Sequence, residues 1–307
     1  MLVSSVGLQS DSGHLPQSCA GKRAPYLFRP IGHASRFHWN LARSEVIAMR
    51  KYGGTLVHCC RDEMGLIEVV ETCGVRSLHF GTHPKQSAMS LAEPDKLELS
   101  YARAMLAGLL FKPEPRKILL LGLGGGTLAR FLFNHFPECR IDAVECRPAV
   151  AEIAYEYFGL PKDARLTVHV SDGNEFVCAE ADRREAEYDH ILVDVFDHQG
   201  LAEAVNQQDF FSASRRLLHP EGILAINLWG TETQSLRQSM GLLNLYFERR
   251  TMRLQVPGRG NVIGFGFGER LEHAEIADLK QQAKTMELLM GVEFPRFLRL
   301  LSYSGWR

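Results

Sequence analysis

The chain reads as an α/β protein: a doubly wound, seven-stranded sheet preceded by a small β-meander. Three observations carry that expectation. The apolar run Ile118-Leu119-Leu120-Leu121 leads directly into Gly122-Leu123-Gly124-Gly125-Gly126 and then into a helix-like stretch, which is a β-turn-α unit. Strand-like and helix-like segments then alternate, the rhythm of a parallel sheet with crossover helices. Upstream, residues 54–89 carry short strand-like runs separated by tight turns instead.

Residues 1–53, with their Ser, Gly, Pro and isolated basic residues in the first 50 or so positions, read as a partly disordered leader. Residues 54–110 form the meander and a connecting helix. Thr55–Cys60, Leu66–Glu71 and Val75–Phe80 are its strands, Asp62–Gly65 and Cys73-Gly74 its turns, Gly81–Gln86 its closing turn, and Leu97–Leu110 the helix. Residues 111–307 form the nucleoside-binding domain. After the glycine strand come a helix over Thr127–Phe136 and strands over Arg140–Val144, Leu166–Val170 and Tyr188–Val193. A helix around Gln208–Leu218, the turn His219–Gly222 and the strand Ile223–Asn227 follow. A helix over Ser235–Tyr246, a reversed hairpin of Thr251–Val256 and Asn261–Phe267, and a last long helix over Ile276–Met290 complete it.

The glycine turn is where function enters. Glycine lets a backbone turn sharply and lets a ligand approach closely, with N–H groups at the helix start free to face it. A dinucleotide fingerprint requires G-x-G-x-x-G, but position 127 is threonine; the G-x-G-x-G form over Gly122, Gly124 and Gly126 suits an adenosyl sulfonium ligand that carries no phosphate. Acids stand at the ends of successive strands. Glu145, about 20 residues past the glycines, is placed to accept from both ribose hydroxyls. Asp172, followed by Gly173, is placed to meet the adenine amine, and Asp194 and Asp197 end the next strand. A lone aspartate more often caps a helix or closes a turn, but strand ends of a parallel sheet converge on one crevice.

Composition excludes other classes. Thirty-five Lys and Arg against 36 Asp and Glu give a net charge of −1, with no general basic field for nucleic acid or an anionic membrane. No apolar run approaches a bilayer span, and Met1 to Ser18 lacks a secretory signal, so a cytoplasmic protein is expected. Seven cysteines without C-x-x-C spacing suggest reduced thiols, with Cys59 and Cys60 packed in a strand; histidines and acids lack metal spacing, so no metal is expected. Trp229 is assigned to the core in preference to a pocket wall, and Phe196, between two acids, to the pocket.

From residue 54 to 267 the chain resembles the spermidine synthases and wider polyamine aminopropyltransferases. The meander, glycine turn, Val-Glu ending, Asp-Gly ending and Tyr-Asp strand with its following aspartates occur in that family's order. The resemblance implies a Rossmann-like fold of the class I methyltransferase type. It implies transfer of an aminopropyl group from decarboxylated S-adenosylmethionine, as co-substrate rather than prosthetic group, to a small amine. Asp194 then matches the catalytic aspartate. Asp197, Phe196 and Tyr101 would line the acceptor side, and Gln86, Gly122, Gly124, Gly126, Glu145, Asp172 and Gly173 the donor side. Relatives commonly pair through the N-terminal sheet and C-terminal elements, which leaves a homodimer open.

Three departures accompany the resemblance. Gly125 stands where the family carries an aspartate for the donor's ammonium. Ser100-Tyr101-Ala102-Arg103 replaces Tyr-His-Glu; Arg103 would disfavour a polycationic acceptor if it faced the pocket, although a helix-surface arginine is more often simply solvated. Asp194-Val195-Phe196-Asp197-His198 replaces Asp-Ser-Ser-Asp-Pro. Methyl transfer from intact S-adenosylmethionine, or a catalytically silent nucleoside-binding homologue, are the alternatives. Restoring an acid by Gly125→Asp is expected to favour the decarboxylated donor.

Overall fold

The computed structural model describes residues 50–197, 200–201, 207–231, 233–271 and 275–303; for residues 196, 197, 200, 201, 233 and 303 only the backbone is described. The leader expectation therefore lies, up to residue 49, outside the described residues. Arg50–Lys51 form a short strand, β1, paired with the start of β2.

The meander has five antiparallel strands in sequence order: β1, β2 (Gly54–Asp62), β3 (Gly65–Thr72), β4 (Val75–His79) and β5 (Ser87–Ser90). The outer two escape a hydrophobic-period reading because β1 has two residues and β5 is the four-residue Ser-Ala-Met-Ser. Cys59, expected to pack, is exposed, since alternate residues of β2 face solvent. A bidentate ion pair ties the meander to the chain that follows the large sheet's second strand. Arg147 donates to both oxygens of Asp62 at 2.9 and 2.7 Å, and to the Gly65 carbonyl at 3.0 Å. The charge of Arg147 outweighs burial and holds the Asp62 carboxyl below its usual range.

The connecting helix α1 runs Ser100–Met105, three residues later than expected, and tightens into a 3₁₀ turn over Leu106–Leu110. The large sheet then builds from β6 (Lys117–Leu121), α2 (Thr127–His135), β7 (Arg140–Glu145), α3 (Pro148–Tyr157), β8 (Leu166–Val170), α4 (Gly173–Ala181) and β9 (Tyr188–Val193). A two-residue hairpin, β10 (Phe196–Asp197) and β11 (Gly200–Leu201), precedes α5 (Gln208–Leu217), β12 (Leu218–Trp229), α6 (Thr233–Tyr246), β13 (Thr251–Gln255) and β14 (Asn261–Phe267). Then come α7 (Ile276–Met290), α8 (Phe294–Leu300) and β15 (Ser302–Tyr303). The left-handed Gly291 ends α7 and lets α8 begin, so the expected last helix is followed by another.

The spatial order is β15-β13-β14-β12-β9-β6-β7-β8, the expected seven strands plus the edge strand β15. β12, β9, β6, β7 and β8 are parallel, while β13 and β14 are antiparallel. Both faces of the sheet are covered. Ile118 and Leu120 join one apolar cluster, while Leu119 and Leu121 join the other, which explains an unbroken apolar strand. A third cluster buries Ile67, Val69, Leu78 and Met89 of the meander against Val150, Ile153 and Phe158. Among the described residues no helix is long and apolar enough to cross a membrane.

Candidate active site

The chain winds β6 to β7 to β8 in one direction and then returns to β9 on the other side of β6. The carboxyl ends of β6 and β9 thus flank the topological switch point, where open α/β sheets hold ligands. Gly122 directly follows β6 there and Asp194 directly follows β9. The two backbones touch: a Cβ on Gly122 would lie 2.2 Å from the Asp194 carbonyl oxygen, and Gly122 has φ +88°, so this glycine is required twice over. Asp194 N donates to the Leu121 carbonyl at 2.8 Å, fixing the aspartate beside the turn.

The turn is shaped by Glu145. Its Oε2 accepts from the amides of Leu123 at 3.2 Å and Gly124 at 3.3 Å, and its Oε1 accepts from Arg147 N at 3.0 Å. Two amides expected to be free for a ligand are thus spent within the protein. About four lone-pair directions exist on a carboxylate, so three amides leave little for a grip on two hydroxyls. Asp172 caps α4, its Oδ1 accepting from Asn174 N at 2.8 Å and Glu175 N at 3.0 Å, with Gly173 buried as the first helical residue. Ser171 N donates to the Glu145 carbonyl at 3.1 Å, so the ends of β7 and β8 adjoin.

The meander supplies a roof. Gln86 donates its backbone N–H to Leu78 O at 2.9 Å, and its own carbonyl lies 3.6 Å from where a Gly124 Cβ would stand. Ser87 and Thr127 hydroxyls meet at 3.2 Å across the same gap. Gly126, left-handed at φ +70°, caps α2. The structure therefore brings Gln86, Gly122, Gly124, Gly126, Glu145, Tyr101 and Asp194 together.

Gly125 lies in an unstrained backbone region, yet it is enclosed. A Cβ there would sit 2.9 Å from the fully buried Phe158 ring and 3.0 Å from Ser87 Cβ. Phe158 thus occupies the side from which an aspartate would leave the turn, and Gly125→Asp meets a clash before it alters any ligand preference.

Asp194 is the chemically distinctive carboxylate. Its Oδ1 accepts from Asn227 Nδ2 at 2.8 Å, and it is hydrogen-bonded to Tyr101 from α1. Burial pushes its carboxyl up to about 6 although both donors favour the charged form. Burial and the neighbouring Asp194 charge raise the Tyr101 hydroxyl well above its ordinary value, so it stays protonated. The Tyr101 hydroxyl also lies 3.3 Å from the Gln86 carbonyl, linking the closing turn of the meander to the carboxylate.

Two other expectations come out differently. Arg103, expected on a solvated helix surface or against the acceptor, instead donates to Glu293 at 2.9 and 3.2 Å and to the carbonyls of Leu97 and Glu98, tying α1 to the start of α8. Trp229, assigned to the core, is 41% exposed at the end of β12. The side chains of Asp197 and Phe196 lie outside the described residues. Asn227, a polar residue in the otherwise apolar Ile223–Leu228 run, carries a sequence signal of its own: a buried amide must find partners.

The profile of the Spermine/spermidine synthase domain matches residues 99–238. A polyamine aminopropyltransferase of Chromobacterium violaceum is 34% identical over 245 residues, covering 80% of this chain and 92% of the relative. Among solved structures, a probable spermidine synthase from Corynebacterium glutamicum superposes with a TM-score of 0.65 at 21% identity, covering 75% of this chain and 86% of that one. Human methyltransferase-like protein 13 in complex with SAH gives a TM-score of 0.56 at 29% identity, covering 68% of this chain and 96% of that one. Matched by that profile and 34% identical to a relative over 80% of its own length, the chain belongs to the spermine/spermidine synthase family.

Proposed function

We propose that this protein is an aminopropyltransferase that moves the aminopropyl group of decarboxylated S-adenosylmethionine to a small primary amine, with Asp194 as the residue that receives the amine's proton. The observation that carries the reading is a carboxylate at the switch point, held by Asn227 and Tyr101, whose affinity for a proton is raised to about 6. A primary amine of pKa about 10 is mostly protonated at neutral pH and must lose a proton before its nitrogen can attack carbon. Raising the carboxyl from 3.8 narrows the gap between acceptor and amine. The amine nitrogen attacks the methylene next to the sulfonium, the carbon–sulfur bond breaks with its electron pair going to sulfur, and methylthioadenosine leaves. Positioning of the neutral amine in line with the sulfonium methylene supplies the acceleration.

On this reading Gln86 and the turn of Gly122, Gly124 and Gly126 line the donor pocket. Glu145 orders that turn and borders the ribose, Asp172 and Gly173 border the adenine, and Tyr101, Phe196 and Asp197 border the acceptor. One observation favours a second reading, methyl transfer from intact S-adenosylmethionine. The turn from Gly122 to Thr127 carries no acid, so nothing within it repels a donor carboxylate. Incubation of the purified protein with each donor and a panel of amines separates the two. Methylthioadenosine release with an aminopropylated product is expected; S-adenosylhomocysteine release instead overturns it, and release of neither, despite donor binding, marks a silent homologue.

A further inference from the structure

The environment of Asp194 is completed by a strand remote from the expected site. β14, the return strand of the antiparallel hairpin, pairs with β12 and sets Asn261 opposite Trp229. The Asn261 side chain reaches Asn227: its Nδ2 donates to Asn227 Oδ1 at 3.0 Å, while Asn227 Nδ2 donates to Asp194 Oδ1 at 2.8 Å. Asn227 is 1% exposed and Asn261 6%, so bulk water offers neither amide an alternative partner.

A primary amide has a donor end and an acceptor end of nearly equal size, and reversing it presents the opposite polarity to each neighbour. In the observed orientation Asn227 turns its donor to the carboxylate. Reversed, its carbonyl would face Asp194 Oδ1, a contact that suits only a protonated Asp194. A donor from Asn261 on Asn227 Oδ1 opposes that reversal. We propose that Asn261 is a positioning residue: acting through Asn227, it keeps a donor aimed at one oxygen of Asp194, so that the carboxylate stays ionised.

This inference rests on the reading of Asp194 as the proton acceptor. The groups facing Asp194 are few. Tyr101 from α1 is titratable and protonated, Asn227 from β12 is neutral, and β6 contributes the backbone of Leu121 and Gly122. No charged side chain among the described residues contributes to the titration of Asp194.

Asn261→Ala removes the outer donor without adding charge, and Asn261→Asp replaces it with an acceptor that invites Asn227 to reverse. For the Ala variant a fall in kcat of about threefold and a rise of about half a pH unit in the acid limb are expected. For the Asp variant about tenfold and one unit are expected, with donor KM within about twofold in both. Thermal melts establish that each variant folds. The Asp194 midpoint is also read without turnover, from carboxyl-carbon NMR of aspartate-labelled protein, with Asp194→Asn for assignment. A raised midpoint in the Ala variant supports the relay even where the wild type proves inactive toward every amine, which would reject the proposed function alone. An unmoved midpoint in a folded Ala variant overturns the relay and leaves the proposed function standing.

Discussion

Two aspartates of the large sheet keep similar company and have opposite electrostatics. Asp142, within β7, accepts from the Tyr188 hydroxyl at 3.0 Å and pairs with His169 Nε2 at 2.9 Å. Asp194, at the end of β9, accepts from Asn227 and is bonded to Tyr101. Burial works against the charge of both. At Asp142 the His169 hydrogen bond and the Lys117 ammonium, 3.6 Å away, outweigh burial and hold the carboxyl below its usual range. At Asp194 the nitrogen donor is a neutral amide, and burial wins. A tyrosine and a nitrogen donor therefore do not make an aspartate basic. The absence of a cation does, in a site dry enough for desolvation to count.

The largest expected effect breaks or upholds that contrast directly. Asp194→Asn is expected to lower the transfer rate about 10²–10⁴-fold, whereas Asp142→Asn leaves it within a few fold. Stability should move the opposite way. Because the folded value of Asp194 lies above 3.8, its neutral form stabilises the fold fully below about pH 4, and that contribution is lost as pH rises through about 6. Asp194→Asn is thus expected to match or exceed wild-type stability at pH 8, by about 1 kcal/mol, in denaturant melts. Asp142 has a lowered value, so its contribution is present above 3.8 and is lost as pH falls through the folded value. Its Asn variant should be less stable at pH 7 by about 1 kcal/mol. Loss of turnover in the Asp142 variant would erase the distinction.

Next in size is the pH dependence. The rate is expected to rise with a midpoint near 6 as Asp194 ionises, and Tyr101→Phe, which removes a donor to the charged form, should raise that midpoint and lower the rate about tenfold at pH 7. A limb near 4 in the wild type would mean that Asp194 behaves like an ordinary carboxylate. At the donor end, Gly125→Asp is expected to destabilise the fold by about 1–3 kcal/mol through contact with Phe158. Adding Phe158→Leu should cost less than the sum of the two single changes, as measured by a double-mutant cycle in thermal melts. Additivity would show that Phe158 does not confine position 125. The smallest effect belongs to Arg103→Ala. Loss of its Glu293 pair should reduce stability by about 1 kcal/mol and leave the amine KM unchanged, whereas a lowered KM would restore Arg103 to the acceptor pocket.

Most of the large sheet was legible because its signals act over short stretches. Leu166–Val170, Tyr188–Val193, Asn261–Phe267 and Ile276–Met290 coincide with their expected bounds, each an apolar period closed by turn residues. β1 and β5 were not, being too short or too polar to show a period, and α8 follows a glycine stop that reads as an end. Glu145, Asp172 and Asp194 were legible as strand-end acids. That the first two are engaged by backbone amides while the third is not depended on how loops fold back, which no spacing encodes.

Local hydrophobic period, glycine placement and the order of acids were enough to specify a doubly wound sheet, its switch point and the carboxylates around it, because each acts through residues near in sequence. The protonation of Asp194 is another kind of property. It depends on Asn227, 33 residues onward, on Tyr101 in a preceding helix, and on the absence of cations among the described neighbours. The closed space beside Gly125 depends on Phe158 in the same way. Desolvation and Coulomb forces act on distances in space, and steric exclusion acts on volumes, so only the packed tertiary structure decides them.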